Sequence, residues 1–182
     1  SATGTLTVND ITAPTASGNQ SSLPAKYSPT TQSQFNITWT DNVAVSTVWF
    51  ESNFTGTPAN YSMTNSTYGG SIYTYSVILP VGTFYWKSYA SDTAGNWNTA
   101  GAWTVTLAKA DNPVSLYLNG TAGNNSYTYP AIANATGTTL AGTVRLYRDG
   151  TQKASGASPQ SEIVLLGAGS YAYKVNATGN AN

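Results

Sequence analysis

Leu79-Pro80-Val81-Gly82-Thr83-Phe84-Tyr85-Trp86-Lys87-Ser88-Tyr89-Ala90 aligns without a gap on Leu166-Gly167-Ala168-Gly169-Ser170-Tyr171-Ala172-Tyr173-Lys174-Val175-Asn176-Ala177. Leu, Gly, Lys and Ala coincide, and an aromatic residue stands two and four places after the aligned glycine in both. A corner between consecutive strands explains the pattern. Leucine closes one strand into the core, glycine makes the turn, and alternate residues of the next strand enter the core while lysine stays in water. The chain therefore carries one β unit twice. Working outward from the two corners, apolar residues recur with period two between turn signals, and no run has helical periodicity. In the first half, strands are predicted over 33–40, 45–53, 59–65, 71–79, 82–90 and 101–108, after a loop-like first strand within 11–29. The second half reads as strands over 113–119, 126–133, 142–148, 151–155, 161–166 and 170–177, with Arg148-Asp149-Gly150 as a hairpin turn. The expected fold class is all-β: two antiparallel sandwiches in tandem, residues 10–110 and 111–182, preceded by a separate strand in residues 1–9.

Composition narrows the function. Charged residues make up 8% of the 182 positions, against about a quarter in ordinary soluble domains, and the net charge is +0. With no basic block there is nothing to neutralise a phosphate backbone, so nucleic acid is excluded as a partner. Cysteine and histidine are both absent. That removes disulfides, thiol chemistry and every Ser-His or Cys-His nucleophile, and nearly excludes zinc and copper sites. No membrane span or signal peptide is visible, and Ser1 in place of an initiator Met suggests a mature or excised piece. A carboxylate pair for glycoside hydrolysis could be drawn from Asp41 and Asp92, but short sandwich loops offer no deep cleft. The chain is expected not to be an enzyme.

Asn-X-Ser/Thr sequons stand at Asn19, Asn36, Asn53, Asn60, Asn65, Asn119, Asn124, Asn134 and Asn176. An Asn- and Thr-rich chain generates some by chance. Placement favours use: alternation in Phe35-Asn36-Ile37-Thr38-Trp39 and in Tyr173-Lys174-Val175-Asn176-Ala177 puts Asn36 and Asn176 on outward faces. The expectation is covalent N-glycans and an extracellular or cell-surface location. Trp39, Phe84, Trp86, Tyr171 and Tyr173 fall on inward positions, whereas Trp49, Tyr85, Tyr89 and Trp97 are expected to form an exposed patch.

Asn9-Asp10-Ile11-Thr12-Ala13-Pro14, Trp39-Thr40-Asp41-Asn42-Val43-Ala44-Val45 and Ala90-Ser91-Asp92-Thr93-Ala94-Gly95-Asn96 together resemble an immunoglobulin-like repeat of bacterial and archaeal surface proteins. Such repeats build adhesins, pili and surface layers. Phe35–Trp39 also resembles strand B of a fibronectin type III domain, and the second half is similar to repeats of large archaeal cell-surface proteins. The fold hosts many functions, so the resemblance implies architecture more than activity. In such a sandwich the N-terminus and the B–C and F–G loops share one pole, so Asp10, Asp41 and Asp92 should converge with Asn42 and Asn96 beside them. Hard oxygen donors from three segments suit Ca²⁺. Some relatives of the motif bind calcium at domain junctions, which the resemblance implies for Asp10, Asp41, Asp92 and Asn96. The alternative is that each aspartate caps its own turn. No other cofactor is expected.

The second half stops at Asn182 just after its strand F, whereas the first half has a strand G in Ala102-Trp103-Thr104-Val105-Thr106-Leu107. Residues 1–9 hold a similar alternation, Thr5-Leu6-Thr7-Val8 before Asp10, with no evident place in the first sandwich. They read as a displaced strand G, with Leu6 and Val8 filling core pockets in the second sandwich of a neighbouring copy. Head-to-tail addition of identical copies does not close and yields a fibre. The function expected is a structural subunit or repeat of an extracellular filament, pilus or surface coat. A stalk segment of a large adhesin and a carbohydrate-binding module are the alternatives.

Overall fold

The computed structural model describes residues 3–66 and 70–179, so Ser1 and Ala2 of the N-terminal segment and Asn182 at the end of the second lie outside the described residues. The described residues contain strands and turns and no helix, and therefore no helix long and apolar enough to cross a membrane. The chain divides into two compact units, the first ending at Ala110 and the second beginning at Asp111.

The first unit contains β1 (Thr15–Ser22), β2 (Ser33–Thr40), β3 (Val45–Ser52), β4 (Ala59–Ser62), β5 (Thr64–Asn65), β6 (Ile72–Val77), β7 (Gly82–Asp92) and β8 (Trp97–Leu107). They form two antiparallel sheets of order β1-β2-β6-β5 and β4-β3-β7-β8. This is an immunoglobulin-like order, with the chain changing sheets between β2 and β3, between β4 and β5, and between β6 and β7. The run expected as one strand over 59–65 is two: Met63, buried, lies between β4, which pairs with β3, and β5, which pairs with β6. The last strand begins at Trp97 rather than 101. A register shift in the β7–β8 ladder lies between Trp86 and Ser88, opposite Gly101 at φ 94°. A Cβ at Gly101 would sit 2.5 Å from the Trp103 ring, so only glycine permits both the bulge and the ring.

Alternation decides the core. Phe35, Ile37 and Trp39 of β2, Val48 and Phe50 of β3, Trp86 and Ala90 of β7, and Val105 and Leu107 of β8 are all buried. Their rings interlock, with centroids 4.8 Å apart for Phe35–Phe50, 5.4 Å for Phe35–Trp86 and 4.4 Å for Trp86–Trp103. Each fully buried ring contributes about 1.5–3 kcal/mol of transfer free energy, so this cluster dominates the unit.

The second unit contains β9 (Val114–Leu118), β10 (Thr121–Ala122), β11 (Ala131–Thr139), β12 (Val144–Arg148), β13 (Thr151–Gly156), β14 (Gln160–Leu166) and β15 (Tyr173–Ala177). Its sheets are β10-β9-β11-β14 and β13-β12-β15. Asp149 and Gly150 both have positive φ and join β12 to β13 by the expected hairpin. The strand expected over 126–133 lies instead at Ala131–Thr139, and Tyr127 and Tyr129 are exposed. Among the described residues β15 pairs only with β12.

Candidate functional site: an acidic pole and an open sheet edge

Unit one brings the sequence-predicted acids together. Asp10 precedes β1, Asp41 follows β2 and Asp92 ends β7, and one carboxylate oxygen of each lies within 4.8 Å of the others. Each aspartate also caps a turn. Asp10 Oδ1 accepts from Thr12 N at 3.0 Å, Asp41 Oδ1 from Val43 N at 2.9 Å, and Asp92 Oδ1 from Ala94 N and Asn96 N, both at 2.8 Å. Asn96 knits the pole, its Nδ2 donating to Asp92 Oδ2 at 2.7 Å and to Asp10 O at 3.1 Å, while Asn42 Nδ2 donates to Asp10 Oδ1 at 3.1 Å. Burial would raise the Asp92 pKa. The hydrogen bonds from Asn96, Gly95 and Ala94 outweigh it and hold the carboxyl below its ordinary value. Turn capping leaves two atoms over: Asp10 Oδ2 and Asp41 Oδ2 are buried and accept no hydrogen bond. Spare, buried carboxylate oxygens facing a third carboxylate are the donor set a hard divalent cation takes.

The second unit presents an edge. Asp149 N donates to Ala172 O and Thr178 N to Thr143 O across the β12–β15 register. That parity turns the main-chain groups of Ala172, Lys174 and Asn176 toward β12 and those of Tyr173, Val175 and Ala177 toward the open side. The same three residues point their side chains inward. A cleft of about 810 Å³ opens at the start of this edge, between Leu118, Tyr127, Ala133, Leu166, Tyr171 and Tyr173. At the other end of the chain, residues 3–10 form no strand, and Leu6 and Val8 are 89% and 87% exposed.

The remaining predicted residues separate by role. Asn19, Asn60, Asn65, Asn119, Asn124, Asn134 and Asn176 are exposed, while Asn36 and Asn53 are half-buried. Asn53 Oδ1 accepts from Tyr85 N at 3.0 Å and Asn36 Oδ1 from Thr74 Oγ1 at 2.8 Å. Trp97 is exposed, but Tyr85 and Tyr89 are half-buried and donate to Glu51, at 3.2 and 2.6 Å. Lys87 Nζ stands 3.0 Å from Glu51 in the same group. Tyr85, Tyr89, Lys87 and Glu51 therefore satisfy one another on the outer face of β3 and β7. Sequence reasoning missed a counterpart inside the second unit: Arg148 Nη2 lies 3.3 Å from Glu162 Oε1, and Tyr173 Oη donates to Glu162 Oε2 at 3.0 Å. Its signal was a charge on the inward parity of β12 and of β14.

No protein-family model and no curated protein matches the sequence. Among solved structures, the chain is similar to the fibronectin(III)-like modules of Clostridium thermocellum CbhA. The identity is 17%, the match covers 87% of this chain and 84% of that one, and the TM-score is 0.37.

Proposed function

We propose that the chain is a non-enzymatic structural subunit or repeat of an extracellular filament or cell-surface coat, in which residues 3–9 of one copy complete the second unit of the next. The observation that carries this is the match between an edge paired on one side only and an exposed segment with strand-like alternation. Among the described residues β15 pairs on one side only, beside a cleft, and Leu6 and Val8 alternate on a segment that pairs with no described strand. The closed first unit supplies the register. There Phe84 faces Val105 and Gly82 faces Leu107. Aligning Gly82 on Gly169 and Thr104–Leu107 on Thr5–Val8 sets Leu6 opposite Tyr171, Val8 opposite Gly169 and Gly4 opposite Tyr173. The threonines then face solvent, and the heterologous contact propagates as a fibre. The sequons fit an exported chain carrying N-glycans. Deleting residues 3–9 is expected to leave monomers in sedimentation velocity where the full chain forms fibres under the electron microscope. Fibres that persist after the deletion would refute the proposal. Denaturing electrophoresis separates subunits, near 19.0 kDa plus glycans, from an adhesin stalk of much larger mass.

The two spare oxygens favour a second role, Ca²⁺ held by Asp10, Asp41, Asp92 and Asn96. Loading the site to tenfold over its Kd raises the stability of the first unit by about 1.4 kcal/mol. Identical melting curves in excess Ca²⁺ and in EDTA would exclude a tight site.

A further inference from the structure

The outer face of the β11–β14 ladder exposes three large aliphatic side chains, each more exposed than Ile72 and Ile78 beside β2 and β6 in the first unit. Three cross-strand pairs line it: Ile132 with Leu165, Asn134 with Ile163, and Thr136 with Ser161. Ile132, Ile163 and Leu165 are 62%, 69% and 62% exposed. Following the ladders from the aligned corners, Asn134 and Ile163 match Gln34 and Ser76, Thr136 and Ser161 match Asn36 and Thr74, and Leu165 matches Ile78, which is 42% exposed. β14 ends its sheet, so Ile163 and Leu165 stand on an edge strand. Such an edge needs a cover to remain soluble.

Asn134 lies in the middle of this face. It is the first residue of the sequon Asn134-Ala135-Thr136, exposed and directly across from Ile163, at the separation where cross-strand side chains touch. Thr136 Oγ1 donates to Asn134 Oδ1 at 3.3 Å, and the Asn134 amide nitrogen has no protein acceptor among the described hydrogen bonds. The neighbouring sequon is different. Asn119, at φ 50°, accepts Asn134 N on its Oδ1 at 2.6 Å and donates its Nδ2 to Ile132 O at 3.3 Å. Both ends of the Asn119 side chain thus serve as a patch in the ladder beside β11, and a sugar would have to be attached to a nitrogen that already lies against Ile132 O.

We propose that an N-linked glycan on Asn134 lies over Ile132, Ile163 and Leu165 and covers this apolar face, and that Asn119 stays unmodified. Pyranose rings carry C–H faces as well as hydroxyls. A saccharide rooted beside Ile163 sets C–H groups against the three aliphatic side chains and hydroxyls toward water. Tyr117, paired with Thr136 and 37% exposed, stands on the other flank. The glycan is thereby a solubilising part of the second unit. This inference rests on the sequons being attachment sites and is independent of strand addition by residues 3–9.

Site-resolved glycopeptide mass spectrometry on protein from its natural source tests the first half, with Asn134 expected to carry glycan and Asn119 to be bare. Asn134→Gln and Thr136→Val each remove the sequon by a different atom. Each is expected to raise the fluorescence of an apolar-surface dye several-fold over the glycosylated chain, whereas Asn60→Gln leaves it unchanged. Adding Ile163→Thr and Leu165→Thr to Asn134→Gln should return the dye signal to its starting level. Bare Asn134 in natural material, or no dye signal beyond that of Asn60→Gln, overturns the proposal. Fibre assembly read on the same variants reports on strand addition separately, so the two readings fail by different measurements.

Discussion

Carried through the ladders, the alignment of Gly82 on Gly169 matches the two units residue by residue, and their interiors diverge at almost every matched position. Ser52 faces Trp86 in the first unit and Arg148 faces Tyr173 in the second. Phe35 faces Tyr75 in one, and Ala135 faces Glu162 in the other. Ile37 becomes Gly137, a position where a Cβ would come within 2.5 Å of Val175. The first interior is a set of interlocked rings closed by Trp103 of β8. The second is small residues and an ion pair beside an edge that no described strand closes. The same backbone plan thus yields one unit stabilised by its own core and one whose core leaves room for an addition. The proposed assembly needs that asymmetry, since a chain of two closed units has nothing to receive a strand.

The most damaging way to probe the contrast is Trp86→Ala. It removes the ring that touches Phe35, Phe50 and Trp103, and the large-to-small change costs about 3–5 kcal/mol. Tyr173→Ala, at the matched and half-buried position, is expected to cost about half as much. All five tryptophans lie in the first unit, so their fluorescence during urea unfolding reports that unit alone, and hydrogen exchange reports the second. Equal losses in the two units would mean that closure by β8 adds little.

A smaller effect separates the interiors by chemistry. Arg148→Met leaves Glu162 with only the Tyr173 hydroxyl, in a place where the two charged side chains are 17% and 14% exposed. Stranding a buried charge costs about 3–5 kcal/mol in a dry interior, and residual solvent contact brings the expectation to about 2 kcal/mol. Glu162→Leu added to Arg148→Met should recover most of it, because the pair is replaced as a whole. A double variant as unstable as the single one would show that the residues act independently. Protection of β12 and β14 amides in hydrogen exchange gives the readout.

Legibility followed side-chain size. In the first unit large apolar residues alternate with polar ones, and β2 and β3 fall within a residue of their expected bounds. Asp10, Asp41 and Asp92 were legible too, because topology alone places their three segments at one pole. In β11 the inward positions are Ala133, Ala135 and Gly137, too small to mark a period, so the bulkier Tyr127 and Tyr129 drew the expected strand five residues early. The Arg148–Glu162 pair was illegible for a related reason. An inward charge is expected only when its partner is known, and the partner lies 14 residues away on the opposite sheet. Trp97 was expected in a loop because the bulge at Gly101 that extends β8 back to it has no apolar signature.

The subtlest difference between the units is at the pole, where one is held by carboxylates and the other by an amide. In the second unit Asn112 Oδ1 accepts from Ala141 N at 3.0 Å and from Thr139 Oγ1 at 2.7 Å, and its Nδ2 donates to Ala141 O at 2.9 Å. None of those groups titrates in mild acid. In the first unit the Asp92 pKa is depressed below its ordinary value of 3.8, because the hydrogen bonds from Asn96, Gly95 and Ala94 favour the ionised form over the penalty of burial. A depressed carboxyl stabilises the fold above its unfolded pKa, and that stability is lost as pH falls through the folded one. The tryptophan-reported melting temperature of the first unit should therefore be flat from pH 7 to about 5 and decline below the ordinary aspartate range. The second unit should show no matching decline from its pole. Glu51, whose pKa is lowered chiefly by the Tyr89 hydroxyl, contributes in the same direction. Asp92→Asn isolates the pole, since it removes one titrating group and leaves Glu51 in place. The variant should start lower at neutral pH and lose less on acidification, so the two curves converge toward acid. Parallel curves would mean that Asp92 is held no more tightly in the folded chain than in the unfolded one.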